Sequence, residues 1–320
     1  MSKQEIGSLK PDEKINSVYL IGRSELKTDR NGKHYIYLVF QDQTGRIDGF
    51  LWNATKEMIA DLKQGQLIRV TGKVDIFNDR PQIKIFEYAK VEHDITDIVK
   101  YLPKSEKDPE ALNEKLIELL DTIENENLQT LRDAYLEDKE FMKLFNRVPA
   151  GVRMHHAYVH GLLDHTVSVL KLVDAITPFY PELDRDFLLI SAFLHDAGKI
   201  QELTFAEGFD YSPKGKLIGH ISLGAIELSK RLDKIENFPE VLADKLLHCM
   251  LAHHGSYEFG SPKLPMFAEA IALHHLENFD SDLAGFFAEK AQSNSEFTFS
   301  RKFQHEMFYE LDPDSESSDE

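Results

Sequence analysis

Along the first ninety residues apolar and polar positions alternate, and the apolar ones are largely β-branched or aromatic. Alternation with a period of two sends successive side chains to opposite faces of a strand. The pattern predicts strands over 18–27, 34–41, 46–52, 66–77 and 82–91. Turn signals divide them: Asp29-Arg30-Asn31-Gly32, Thr44-Gly45 and Asn78-Asp79-Arg80-Pro81. A short helix is expected over 55–62, closed by Gln64-Gly65.

Five strands with one helix between the third and fourth is the order of an oligonucleotide/oligosaccharide-binding (OB) barrel. Splitting the second and third strands by parity puts Ile36, Leu38, Phe40, Ile47 and Leu51 inside. Tyr35, Tyr37, Val39, Phe50 and Trp52 then point outward. Outward Tyr35, Tyr37, Phe50 and Trp52 suit a platform on which nucleobases stack, each stack contributing about 1–3 kcal/mol. Lys33, Arg46 and Arg80 in the adjoining turns are placed to follow phosphates. The competing expectation is that these rings pack against the helical half or a second subunit.

After residue 94 the apolar spacing changes to three and four, the mark of amphipathic helices. Helices are expected over 111–123 and 128–145, then over 162–176, 185–197, 222–232, 240–252 and 265–279. The polar stretch 103–109, with a proline at each end, reads as a hinge. No internal repeat is visible.

Composition narrows the partners. The chain of 320 residues has a net charge of −18, which argues against coating nucleic acid by charge alone. That charge is uneven: residues 13–92 hold 13 Lys/Arg against 11 Asp/Glu, a net +2. The tail 311–320 carries five carboxylates and no basic residue, so it is expected to be solvated. No run reaches the roughly 20 apolar residues of a membrane span, and the polar start lacks a secretory core. The single cysteine, Cys249, fits a reducing compartment, and the cytoplasm is the expected location. Cys249 itself reads as a small buried hydrophobe.

The helix predicted around Phe187–Leu194 has almost no polar stripe, yet it runs into His195-Asp196. A buried unpaired charge costs several kcal/mol, so such a pair is expected to hold a metal or each other. Possible partners stand at long intervals: His165 before it, then His220, His253, His254, Glu277 and Asp280. Imidazole with carboxylate suits manganese, iron, zinc and similar divalent ions. His220, His253 and His254 also fit surface histidines at helix ends. Gly198 is expected to end the helix in a left-handed cap. Lys199 is placed to neutralise phosphoryl charge. His156 and His160, one turn apart, are candidates to contact substrate phosphate or assist the leaving group.

His165, His195-Asp196 and a late carboxylate match the H…HD…D pattern, and the second half resembles the all-helical HD phosphohydrolase superfamily. His220 and His253/His254 match the extra ligands of its two-metal branch. The stretches Met154-His155-His156-Ala157-Tyr158, Gly161-Leu162-Leu163-Asp164-His165-Thr166 and His253-His254-Gly255, with Glu258-Phe259-Gly260-Ser261-Pro262, extend the likeness. A barrel followed by such a domain resembles the YhaM-type 3′–5′ exoribonucleases. One position departs: the last ligand is usually Asp, and Glu277 aligns best here, with Asp280 or Asp282 as substitutes.

The resemblance implies a multidomain α+β chain: an OB-type five-stranded barrel over 13–93, a helical linker over 94–148, an all-α HD domain over 149–310 and an acidic tail over 311–320. It also implies two divalent ions, with manganese ahead of iron, cobalt, magnesium and zinc. The expected activity is hydrolysis of single-stranded RNA, and of single-stranded DNA as well, from the 3′ end to nucleoside 5′-monophosphates. Two alternatives stand beside it: an HD phosphohydrolase of free or cyclic nucleotides, and a non-catalytic single-strand-binding factor. No membrane partner is expected, and assembly with further copies of the chain is left open.

Overall fold

The computed structural model describes residues 4–77, 80–92, 98, 100–102, 107–152, 158–204, 210–291, 293, 295–300 and 302–310. The turn at 78–79, His156 with its neighbours 153–157, and the acidic tail 311–320 lie outside the described residues.

Strands β1 (Lys14–Thr28), β2 (His34–Asp42), β3 (Gly45–Trp52), β4 (Leu67–Phe77) and β5 (Arg80–Lys90) close into a barrel of order β1-β2-β3-β5-β4. All neighbouring pairs are antiparallel except β3 with β5, which run parallel. Parity divides the faces as the alternation requires. Ile36, Leu38, Phe40, Ile47 and Leu51 are buried in the barrel core with Ile15, Tyr19, Val70, Val74 and Ile83. Between β3 and β4 the expected helix 55–62 is only a 3₁₀ turn, Met58–Asp61. Left-handed residues bound the segment on both sides, Asn53 with φ 54° and Gly65 with φ 82°. Leu62 is fully buried there, in the barrel core.

The helical half comprises α1 (Pro109–Leu120), α2 (Glu126–Leu136), α3 (Lys139–Phe145), α4 (Gly161–Ile176), α5 (Arg185–Leu194), α6 (Lys199–Glu202), α7 (Pro213–Ile218), α8 (His220–Leu232), α9 (Glu240–Ala252) and α10 (Ala268–Lys290). Leu112, Leu116, Leu128, Leu131, Phe141 and Phe145 of α1–α3 share one hydrophobic core with α4, α5, α8, α9 and α10. The segment expected to be a linker is thus built into the helical body. Each fully buried Leu, Ile or Phe there contributes about 1.5–3 kcal/mol relative to exposure.

Several expectations are corrected. The single helix 128–145 is two, because Asp138 takes extended dihedrals and its carboxylate accepts from the Phe141 amide at 3.0 Å. The helix expected over 265–279 starts at Ala268 and runs on through the polar run after Phe279 to Lys290. Two short ribbons, Leu203–Thr204 with Asp210–Tyr211 and Phe297–Ser300 with His305–Phe308, interrupt what was expected to be purely helical. Where the barrel meets the following segment, Leu20 and Leu67 pack with Ile98, Leu102 and Val159. Among the described residues no helix is long and apolar enough to cross a membrane.

Candidate metal centre and nucleic-acid interface

Helix α5 is buried on every side from Phe187 to Leu194, and its end delivers His195 and Asp196 into the interior at 0% and 2% exposure. The chain turns there without a left-handed cap: Gly198 has φ −62°, against expectation. Glycine is required for a different reason. A Cβ at 198 would stand 2.0 Å from the His220 carbonyl oxygen and 2.7 Å from the Gly224 amide. This close approach seats the start of α8, and with it His220, beside Asp196.

Asp196 is the centre of the cluster. Its Oδ2 lies 3.7 Å from His165 Nε2 and 3.4 Å from His195 Nε2. Its Oδ1 lies 3.5 Å from His220 Nε2 and 3.7 Å from His253 Nε2. Nε2 of His254 is 3.3 Å from that of His220, and Nε2 of His165 is 3.2 Å from that of His195. One carboxylate therefore faces two imidazole sets, one on each oxygen: His165 with His195, and His220 with His253 and His254.

All five rings are held in one tautomer. Nδ1 donates to Asp280 in His165 (2.7 Å), to the Ala192 carbonyl in His195 (2.8 Å) and to Glu202 in His220 (3.1 Å). It donates to the Met250 carbonyl in His253 (2.8 Å) and to the Phe259 carbonyl in His254 (2.8 Å). With Nδ1 protonated, the Nε2 lone pairs converge on one another and on an anion. Such an arrangement repels itself until positive charge enters it.

The titration behaviour follows. Burial holds His165 down at about 4, and with its charged neighbours holds His253 and His254 below the usual range. Burial also opposes charge on His195, but the adjoining Asp196 prevails and raises it above its ordinary value. Burial works against ionised Asp196; Lys199 Nζ at 2.6 Å and His195 overcome it and hold the carboxyl well below its ordinary range. Burial pushes Glu277 up to about 7.

Three buried polar atoms in this cluster, Asp196 Oδ1, His253 Nε2 and Glu277 Oε2, make no hydrogen bond among the described residues. Orphaned buried acceptors are costly, and imidazole nitrogens with carboxylate oxygens are the donor set of divalent transition-metal ions. Nitrogens 3.2–3.3 Å apart also accommodate a cation about 2.1 Å from each. The residues present fit such ions.

The candidates from the sequence separate as follows. His165, His195, Asp196, His220, His253 and His254 come together. Glu277 is buried within the field of His195 and Asp196, whereas Asp280, one turn later on α10, orients the His165 ring. Asp282 pairs with Lys302 at 3.2 Å and is half-exposed. Lys199 is engaged with Asp196. His160 stands before α4 rather than on a helix, with φ 72°, and its Nδ1 is bonded to the Asn146 carbonyl. Its ring lines a cavity of about 360 Å³ with Pro109, Glu110, Asn113, Glu114 and Asn146. Cys249 is buried, and burial pushes its thiol up to about 12.

Glu202 was missed by sequence reasoning. Its Oε1 accepts both the backbone N–H and the Nδ1–H of His220, at 2.9 and 3.1 Å. Nothing local marks it, since it stands 18 residues before its partner.

On the barrel, Tyr35, Tyr37 and Phe50 are half-exposed and Trp52 is 46% exposed. Their rings form a ladder: Tyr35–Trp52 centroids lie 4.9 Å apart, Tyr37–Phe50 5.5 Å, and Phe50–Trp52 6.2 Å at 17°. Lys33, Arg46 and Arg80 are exposed. Lys33 precedes β2, while Arg46 lies near the opposite end of the β2–β3 ladder, across from Gln41. Two cations on β1 were overlooked: Lys27 Nζ sits 4.3 Å above the Tyr37 ring, and Arg23 6.0 Å from it. The β1–β2 register, pairing Glu25 with Tyr37, brings them there.

Comparison with known proteins matches residues 18–91 to the family described as an OB-fold nucleic acid binding domain, and residues 162–282 to the HD domain. Among solved structures, the second OB-fold domain of replication protein A from Methanococcus maripaludis is 22% identical, covering 29% of this chain and 97% of that one, with a TM-score of 0.23. The replication factor A related protein from Methanobacterium thermoautotrophicum is 17% identical, covering 29% and 96%, with a TM-score of 0.23. A replication protein A heterotrimer bound to ssDNA is 16% identical, covering 28% and 66%, with a TM-score of 0.21. The chain therefore joins an OB-fold nucleic-acid-binding domain to an HD domain, a metal-dependent phosphohydrolase domain. This is the architecture of a nucleic-acid-related phosphohydrolase.

Proposed function

We propose that the protein is a metal-dependent 3′–5′ exoribonuclease of single-stranded RNA, active on single-stranded DNA as well, releasing nucleoside 5′-monophosphates. The observation that carries this reading is Asp196, whose two oxygens face two separate sets of Nε2 atoms. A barrel with an exposed aromatic ladder in the same chain supports a strand as the substrate.

When bound, a pair of divalent ions, manganese first among the candidates, supplies Lewis acidity toward the phosphate and an activated water. His165, His195, His220, His253, His254 and Asp196 would hold them, with Glu277 as the further oxygen donor. Asp280 and Glu202 fix the rings of His165 and His220, so those ligand atoms are aimed before substrate arrives. Lys199 keeps Asp196 ionised. Water gives up a proton as its oxygen bonds to phosphorus in line, the bond from phosphorus to the 3′-oxygen of the penultimate nucleotide breaks, and that oxygen takes up a proton. Repetition shortens the strand one nucleotide at a time.

A 5′-labelled oligoribonucleotide incubated with purified protein and manganese tests the reading. Products shortening progressively from the 3′ end are expected. An intact oligomer alongside hydrolysis of free or cyclic nucleotides would replace the strand with a small substrate. A mobility shift without cleavage would leave only a binding factor.

A further inference from the structure

The second imidazole set is the more open edge of the cluster: His253 is buried, whereas His220 and His254 are half-buried. Beyond His254 the chain passes through Gly255, at φ 66°, into a tight turn over Tyr257–Phe259 that ends at Gly260, φ 82°. Gly255 has no room for a side chain, since a Cβ there would meet the His274 ring at 2.2 Å. Ser256 Oγ accepts the Glu258 amide at 3.2 Å, and Ser261 Oγ donates to the Leu251 carbonyl at 2.9 Å. The Phe259 carbonyl takes the His254 Nδ1–H at 2.8 Å. The turn is thus fastened to the imidazole cluster through His254 and to α9 through the Leu251 carbonyl.

That fastened turn presents its aromatic rings to solvent. Tyr257 is 67% exposed and Phe259 68%. The other half-buried imidazole, His220, follows Gly219 at the end of α7, where Leu217 is 86% exposed. Apolar side chains thus flank both segments that deliver the open edge of the site. Exposed rings carried on a fastened turn are what a nucleobase stacks on, and stacking tolerates any base because each has a π-face. A ligand lying on Phe259 lies one side-chain length from a backbone oxygen bonded to His254.

We propose that Tyr257 and Phe259 form a stacking ledge for the 3′-terminal bases of a single strand, with Leu217 as the facing wall, and that the ledge sets the scissile phosphate over Asp196. The inference rests on the nuclease reading and adds a base-contacting subsite in the helical half, distinct from the barrel ladder. The ladder holds the body of a strand; the ledge holds its end.

The test compares short strands carrying bases throughout with strands abasic at their last two 3′ positions. In the wild type, losing those bases raises KM about 5- to 100-fold. Tyr257→Ala and Phe259→Ala already show the raised KM on the intact strand, and base removal costs them less than about twofold. Tyr257→Phe behaves as wild type. Equal losses on base removal in wild type and variants overturn the ledge. Equilibrium Kd values for the same strands, read by fluorescence anisotropy with chelator present, decide it without turnover. Base-dependent binding lost in both alanine variants supports the ledge, and base dependence equal to wild type overturns it. An absence of cleavage by the wild type would instead remove the nuclease reading.

Discussion

At the residue scale, the chemistry is set by what holds each imidazole from behind. Glu202 grips His220 through two hydrogen bonds to a single oxygen, and Asp280 grips His165 through one. Such carboxylate–histidine pairs fix the tautomer and raise ligand basicity, and losing one typically costs about 10–100-fold in metal affinity. Glu202→Ala is accordingly expected to weaken manganese binding by about that factor at the His220 set, while Glu202→Gln, which keeps an accepting oxygen, loses less. Titration calorimetry of metal-free protein with manganese reads both, and an alanine variant with wild-type affinity would refute the role. Glu277 differs from both carboxylates: its Oε2 is buried with no hydrogen-bond partner among the described residues.

At the scale of elements, the β2–β3 hairpin and the α2–α3 break carry separate predictions. The ring ladder on β2 and β3 ends at Trp52, its most exposed member. Trp52→Ala is expected to weaken binding of a long single strand about 5- to 100-fold while leaving dinucleotide hydrolysis within about twofold of wild type. Filter binding beside a dinucleotide assay measures this, and equal losses in both would mean the ladder is not a strand platform.

The α2–α3 break exists because Asp138 caps α3 and also receives Arg231 Nη2 at 2.7 Å, while the guanidinium lies 4.2 Å from the Tyr135 ring centre. The Phe141 amide and Arg231 hold the Asp138 carboxyl below its ordinary range. A depressed folded pKa contributes stability that is complete above the unfolded value, about 3.9, and is lost as pH falls through the folded one. Asp138→Asn should therefore be less stable than wild type by a constant amount from pH 7 down to about 5, with the gap closing below about 4. Urea denaturation across that range checks the sign; a gap that widens in acid contradicts it. The sequence showed an unbroken helical period over 128–145, since one capping aspartate does not disturb a pattern of apolar spacing.

At the scale of the molecule, the cluster is an arrangement that the fold holds together against its own electrostatics. Five imidazole lone pairs and a carboxylate face one another in a largely buried cluster. Divalent cations that bind this state and not the unfolded chain stabilise it by about 2.7 kcal/mol at a hundredfold excess over Kd. For a protein of this size that corresponds to a rise of roughly 4 °C in Tm. Chelated protein is expected to melt lower by that margin and to recover on adding manganese, as scanning calorimetry would show. An unchanged Tm would count against any ion at Asp196. The chain-wide charge of −18 makes a locally balanced barrel all the more necessary for a polyanionic partner.

The order of elements was decided by the sequence alone, because strand and helix periods are local properties of the chain. Alternation placed Ile36, Leu38 and Phe40 inside and Tyr35 and Tyr37 outside, and spacing of three and four located α4, α5 and α9 to within a few residues. The unusual cost of His195-Asp196 in an apolar run was equally visible there. Which carboxylate stands behind which imidazole was not. Glu202 meets His220 across 18 residues and Asp280 meets His165 across 115, through packing that brings separate helices to one point. Residue periodicity holds no information about such distances. Only the folded chain could show that Asp196 turns one oxygen toward each imidazole set.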